Sequence, residues 1–353
     1  MTTSDILSAA VPLSVAARGL LADLLTDPTA ACAGAGATEL DQGGWIASGR
    51  LRAEAALLLG CDVGGTKVHS VLCDLDGRCL AERIEPTAPA GGAALVAQMR
   101  QHRDQLMAEG GGAPLVAAGI GIPGAVHPTT GHVSRMPNIA GLRQTDLAAH
   151  LTTALGLPCA VENDVNLAAL GEYWLGHRAE SMAFVALGTG IGLGQLVNGQ
   201  ILRGASGAAG EVAVLPIGAD PFAPESFETG ALESTIGAAP LVAAYVAKGG
   251  KPGLSLRELF NAEDPHFAPV LAALVERLAL TVLSVAAITD PQLVVFGGSV
   301  GRRPDLVARV VARLAQQPFA MPECRVSRLG NRAGVMGAVW LGRQKLAADL
   351  RRR

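Results

Sequence analysis

A strand that runs into a glycine-rich turn and straight out into a second strand occurs twice in this chain, and that recurrence limits the folds open to it. In the first copy the apolar run 55–61 leads through Asp62 to Gly64-Gly65 and then into a second run, 67–74. The Asp-Leu-Asp-Gly at 74–77 is a hairpin signal, and 78–84 follows as a third strand. In the second copy 182–187 ends in Gly188-Thr189-Gly190, and 192–197 and 200–203 flank the hairpin signal Asn198-Gly199. Helical spacing or boundary signals predict helices over 94–108, 165–175, 270–288 and 335–349, with further buried strands over 116–122 and 293–296. Strand hairpins followed by helix–strand alternation predict an α/β chain with an internal duplication and helices on both faces of mixed sheets.

Composition narrows the function classes. Half of the 353 residues are hydrophobic, enough for a sizeable core, but only 3% are aromatic, so Ala, Val, Leu and Ile must build that core. A net charge of −3 disfavours a globally basic nucleic-acid binder. The longest stretch free of charged residues and His, 181–202, carries Gly188, Gly190, Gly192, Gly194 and Gly199 and reads as strands and turns, so no membrane span is expected. The first 17 residues hold Asp5 and no Lys or Arg, a poor start for a secretory signal, so the expected location is cytoplasmic. Six cysteines without a CxxC pair read as buried reduced thiols. Residues 1–49 differ from the rest, with five acids (Asp5, Asp23, Asp27, Glu39, Asp41) against the single base Arg18.

Five segments carry chemistry. Gly60-Cys-Asp-Val-Gly-Gly-Thr-Lys67 offers a turn whose backbone N–H groups can converge on a phosphate, with Asp62 placed to hold a hydrated Mg²⁺. Gly188, Thr189 and Gly190 repeat that arrangement, and two such turns in two halves would hold a triphosphate. In Val161-Glu-Asn-Asp-Val-Asn166, Asp164 falls at a helix start. There it serves as a carboxylate that accepts a hydroxyl proton or, taken alone, as a helix N-cap. Glu211 follows Gly207-Ala-Ala-Gly210, where the backbone can approach a ligand closely, and Gly297-Gly298 closes a buried strand beside which a flat base would pack.

In order along the chain, CDVGGTK (61–67), GIPGAVHPTTG (121–131), PNIAGL (137–142), VENDVN (161–166), LGTGIGLG (187–194), GASGAAGE (204–211), DPQLVVFGGSV (290–300) and RLGNRAGVMGAV (328–339) resemble the ROK family of sugar kinases and sugar-responsive repressors. That family belongs to the actin-like, hexokinase-like ATPase superfamily. The resemblance spans about residues 57 to 345. It implies two ribonuclease H-like α/β domains around an interdomain cleft: 55–178 with the C-terminal helix 335–350, and 179–334, behind an N-terminal appendage of 1–54. It implies ATP and Mg²⁺ as cofactors. Asp62, Gly64, Gly65, Thr66 and Lys67 match the first phosphate motif, Gly188, Thr189 and Gly190 the second, and Gly297 and Gly298 the adenosine motif. Asn138, Asn163, Asp164, Glu211 and Glu233 match sugar-contacting positions, with Asp164 the catalytic base. It also implies a homo-oligomer, dimer or tetramer.

Two departures qualify this picture. The family follows the glutamate at position 211 with Gly-His and a Cys-rich zinc loop. Here Val212, Ala213 and Val214 follow, and no Cys lies between Cys159 and Cys324, so no zinc site is expected. The family's repressors carry a winged helix-turn-helix ahead of the core, and residues 1–54 have room for a reduced one. A DNA-binding segment neutralises phosphates with Lys and Arg, and the acidic balance here argues against that. The sequence therefore predicts an ATP-dependent sugar kinase, with a sugar-responsive transcription regulator as the alternative.

Overall fold

The computed structural model of the chain describes residues 13–27, 30–134, 146–262 and 264–352. These fall into two compact units. One holds the chain up to Leu175 with 203–208 and the residues from Gly334 onward, and the other holds Gly176–Leu202 and Ala209–Ala333.

The first unit begins with α1 (Val15–Thr26), α2 (Ala37–Gln42) and a small antiparallel hairpin of β1 (Ile46–Ala47) and β2 (Arg50–Leu51). Ser14 caps α1 by accepting from the Ala17 N–H at 3.2 Å, and Glu39 on α2 accepts from the Ser14 hydroxyl and N–H. The main sheet follows: β3 (Leu57–Val63), β4 (Lys67–Asp74), β5 (Cys79–Pro86), then α3 (Gly92–Gly110) and β6 (Leu115–Ile122). The short hairpin β7 (Ala125–Val126) and β8 (Val133–Ser134), α4 (Leu147–Leu155), β9 (Cys159–Asn163) and α5 (Asp164–Trp174) complete the run. Strand order is β5-β4-β3-β6-β9. The central strand β3 reads Leu-Leu-Leu-Gly-Cys-Asp-Val and is apolar on both faces, as a strand covered on both sides must be. At the edge, β5 alternates exposed and half-buried residues.

The C-terminal helix, Ala333–Arg351, covers one face of this sheet. It approaches so closely that a Cβ at Gly119 would meet the carbonyl oxygen of Ala338, and one at Gly60 would lie 2.7 Å from that of Val335. At its far end Arg351 donates to Asp23 Oδ1 at 2.9 Å and Thr26 Oγ1 at 3.0 Å on α1. Ala17, Leu21 and Leu25 on α1 are fully buried, so the N-terminal segment packs as part of this unit.

The second unit repeats the sheet. Its strands β10 (Met182–Leu187), β11 (Ile191–Val197) and β12 (Gln200–Ile201) form the antiparallel part. Helices α6 (Ser226–Thr229), α7 (Glu233–Ile236), α8 (Ala238–Ala247), α9 (Leu256–Asn261) and α10 (Ala268–Thr289) precede β13 (Leu293–Gly297), which pairs parallel to β10. Two more helices, α11 (Gly298–Gly301) and α12 (Pro304–Leu314), lead to β14 (Glu323–Val326), parallel to β13. The order β12-β11-β10-β13-β14 is that of the first sheet, so the duplication extends from the hairpins to the whole topology.

Among the described residues α10 alone is long and apolar enough to cross a membrane. Its buried positions Leu274, Leu278 and Val282 fill the second core, and mid-helix Glu276 and Arg277 bind Arg313 and the carbonyl of Thr235. Those polar anchors fit a core helix. All six thiols are free. Cys61, Cys73 and Cys159 are buried as expected, whereas Cys32, Cys79 and Cys324 are only half-buried.

Candidate active site

Parallel pairing lines up the strand ends of the first unit. Asp62 on β3 stands opposite Gly121 on β6, which stands opposite Glu162 on β9. The carboxyl ends of parallel strands are where open α/β sheets bind ligands. Asp62 closes β3 there, and burial together with the nearby charge of Asp164 pushes its carboxyl up to about 7, Lys67 opposing in part. The turn from Gly64 to Lys67 is held by the Gly64 N–H donating to the Lys67 carbonyl at 2.9 Å. Thr87, which sequence reasoning missed, ties it from outside, its hydroxyl donating to the Gly64 carbonyl at 2.7 Å. Gly65, Thr66 and Lys67 are exposed.

The β9–α5 junction separates capping from chemistry. Asn163 is the N-cap. Its Oδ1 accepts from the N–H of Val165 at 2.9 Å and of Asn166 at 3.0 Å, and its Nδ2 donates to the Gly124 carbonyl at 3.1 Å. Asp164, which taken alone reads as the cap, is the first helical residue instead. Its Oδ1 accepts from the Val165 N–H at 2.9 Å. Asn163 is thus largely spent on holding its neighbour. Glu162, 2% exposed, is a residue the sequence did not flag. Its Oε1 accepts from the Asn163 N–H and Asn166 Nδ2, and Arg203 Nε donates to Oε2 at 2.6 Å, so the segment before Asp164 is fixed from both sides. The Val-Glu-Asn-Asp-Val-Asn string held the signal, since a buried acid beside two Asn needs partners.

A polar chain runs inward from the partly exposed Glu85 to Cys61, the residue before Asp62. Glu85 lies 3.2 Å from His102, His102 pairs with Ser70 at 2.9 Å, and the Ser70 hydroxyl donates to Cys61 Sγ at 3.4 Å. This chain of groups is laid out like an activated-nucleophile relay, but burial pushes the Cys61 thiol up to about 11, so it remains protonated at neutral pH.

In the second unit the turn Gly188-Thr189-Gly190 joins β10 to β11, with the Gly188 N–H donating to the Gly190 carbonyl at 2.9 Å. A cavity of about 500 Å³ opens beside it, lined by Gly188, Thr189 and Ser299 together with Arg257, Arg302 and Arg303. Arg303 stacks on Phe260, its guanidinium carbon 4.7 Å from the ring centroid. Gly297 and Gly298 do not line this cavity. A side chain on Gly297 would run into the Phe184 ring, and Gly298, at φ +79°, lies on the backbone of Leu187. The pair lets β13 turn into α11 against β10, and its neighbour Ser299 presents the hydroxyl. The Arg302-Arg303 doublet just past that pair was the available sequence signal.

Glu233 sits against the turn, not apart from it. Its Oε2 accepts from the Ile191 N–H at 2.8 Å, in space that exists because Gly190 has no side chain. Glu211 precedes the short helical turn Val212–Val214 and is half-buried. Asn138 lies outside the described residues. Among the described residues no group of three or more His, Cys, Asp or Glu is placed to hold a metal ion.

A model of the ROK family matches residues 58–345. The chain belongs to the ROK family. A glucokinase from Halalkalibacterium halodurans is 31% identical over 318 residues, covering 81% of this chain and 95% of that relative. The crystal structure of a ROK hexokinase from Thermus thermophilus superposes with a TM-score of 0.70 at 28% identity, covering 81% of this chain and 97% of that one. A ROK family transcriptional regulator shares the fold with a TM-score of 0.77 at 19% identity, covering 95% of this chain and 97% of that one. The two kinases thus each cover 81% of this chain and the regulator 95%.

Proposed function

We propose that this ROK protein is an ATP-dependent sugar kinase acting on a hydroxyl of a hexose or N-acetylhexosamine. The observation that carries the reading is the β9–α5 junction: Asn163 takes the capping role, which leaves the Asp164 carboxylate at a helix start beside Asp62. In this reading Asp164 accepts the proton of the attacking hydroxyl, a role for which geometry comes before pKa. Glu162 and Arg203 keep it in place.

The residues present fit magnesium and a nucleotide. A single strand-end carboxylate suits Mg²⁺ held largely through water, and a cation beside Asp62 would offset the burial and like charge that raise its pKa. Thr189, Ser299, Arg257, Arg302 and Arg303 surround a cavity of nucleotide size and supply hydroxyl and guanidinium donors. Bound Mg-ATP would supply the phosphoryl group. The chain's part is to orient the acceptor, hold the proton and offer donors to developing charge.

The alternative is a sugar-responsive regulator. What favours it is the segment before β3, two helices followed by a two-stranded hairpin in the order of a reduced winged helix. One experiment separates the two. ATP consumption is measured over glucose, fructose, mannose and their N-acetylamino derivatives, beside a gel shift with DNA from upstream of the gene. Turnover that depends on one of these sugars is the expected result. No sugar-dependent ATP consumption, with salt-sensitive DNA binding instead, would overturn it.

A further inference from the structure

The first unit contains a buried cation that, among the described residues, forms no ion pair. Arg343, on the C-terminal helix, is 2% exposed. Among the described residues its guanidinium makes no hydrogen bond or ion pair, and its Nε is buried without a partner. Two indole rings flank it, with the guanidinium carbon 5.3 Å from the Trp340 centroid and 5.9 Å from one ring of Trp174. Indole faces stabilise a cation but accept no conventional hydrogen bond, so the buried Nε–H stays unmatched. Burial pulls its pKa down, and only the charge of Asp76 opposes that.

Arg343 lines a cavity of about 530 Å³. The remaining walls come from three places: Leu24 and residues 30–32, the β1–β2 hairpin at Gly49, Arg50 and Leu51, and Asp76 in the turn between β4 and β5. Arg50 and Asp76 are exposed, so the rim carries one cation and one anion while the floor carries a cation alone. A volume of that size admits a molecule of several heavy atoms beyond water. A planar guanidinium fork matches a carboxylate or phosphate through two parallel hydrogen bonds.

We propose that this cavity is a binding site for a small oxyanion, a carboxylate or phosphate compound, held by Arg343 with Arg50 at the rim. It lies at the opposite end of β4 from the Gly64–Lys67 turn, on the seam between the N-terminal segment and the C-terminal helix. Its occupant therefore fastens α1 and the β1–β2 hairpin to the rest of the unit.

The test uses the full chain in chloride buffer at fixed ionic strength and follows the melting temperature while inorganic phosphate or citrate replaces chloride. A saturable rise is expected with at least one of the two. If only phosphate acts, the natural ligand is a phosphate compound, and if only citrate acts, a carboxylate. Arg343→Met, which keeps an unbranched apolar stem against the indoles, should abolish the rise. Two exposed substitutions guard against a folding defect. Arg50→Ala should raise the half-saturating concentration about tenfold, the loss of one charge-assisted hydrogen bond, and Asp76→Asn should lower it by removing a competing carboxylate. No saturable rise in wild type overturns the site. So does a rise with the same midpoint in all three variants, because that response then belongs to another anion site such as the glycine-rich turns.

Discussion

Asn163 and Asp164 divide two tasks that one residue at a helix start would otherwise share. Because Asn163 holds the first-turn N–H groups, changing Asp164 should leave α5 in place. Asp164→Asn keeps size and hydrogen bonding but cannot accept a proton. Turnover should fall at least about a hundredfold, the low end for general base catalysis, with the sugar KM nearly unchanged. Steady-state kinetics with the sugar identified by the screen checks this. Glu233 gives a second prediction. The resemblance places it with the sugar, whereas its carboxylate holds the Ile191 N–H beside the Gly188–Gly190 turn. Glu233→Ala should therefore raise the KM for ATP more than the KM for sugar. The reverse split would return it to the sugar. A third concerns acid stability. The Tyr245 hydroxyl donates to Asp264 at 2.5 Å and holds its carboxyl below the usual value, helped by the His266 N–H. A lowered carboxylate pKa contributes stability that is present above about pH 4 and lost as pH falls through the folded value. Asp264→Asn should therefore melt lower than wild type at pH 7, and the gap should close on acidification below pH 4.

At the scale of elements, the glycines that bring the C-terminal helix onto the first sheet make a sharp prediction. The obstacle at Gly119 is the main-chain carbonyl of Ala338, which cannot rotate away as a side chain can. Gly119→Ala should cost at least the 1–3 kcal/mol of ordinary overpacking, seen as a lower urea midpoint with little change in slope. Elements of this kind were also the most legible in the sequence. The three-strand meander, α3, α5, α10 and the C-terminal helix stand within about two residues of where periodicity and glycine turns place them, a usual boundary error. Most of the short elements were missed, and so were α4, α8, α12 and β14. The short edge strand β14 buries little and so writes little pattern. Helix α12 has a strong amphipathic stripe and Pro304 at its first position, so its signal was present and unread. At the site, Asp62, Asp164 and both turns were readable because chemistry fixes residue type. Glu162 and the Arg302-Arg303 doublet left local signals that went unread, whereas Thr87 acts through Gly64, distant in sequence, and no local spacing announces it.

For the whole molecule, the segment before β3 separates the two functional readings. Leu21, Leu25 and Leu40 are fully buried, and the Leu75 N–H donates to the Ala53 carbonyl at 2.9 Å, so the segment is integrated into the first unit. Deleting residues 1–54 should leave sugar-dependent ATP consumption measurable, because no residue proposed to act in phosphoryl transfer lies in them, while lowering the melting temperature. Loss of all ATP consumption in a deletion variant that still gives a cooperative melt would place the segment in the kinase itself.

The return of the last helix to the first sheet also affects how the chain is made. A ribosome emits the sheet strands early, yet the helix that covers Gly60 and Gly119 follows the whole of the second unit. That apolar face stands open for the whole time the second unit is being translated, and domains made in this way are exposed to aggregation. A premature stop anywhere after the second unit would therefore damage the unit made first. The nascent first unit becomes a natural client for chaperones that shield apolar β-sheet faces.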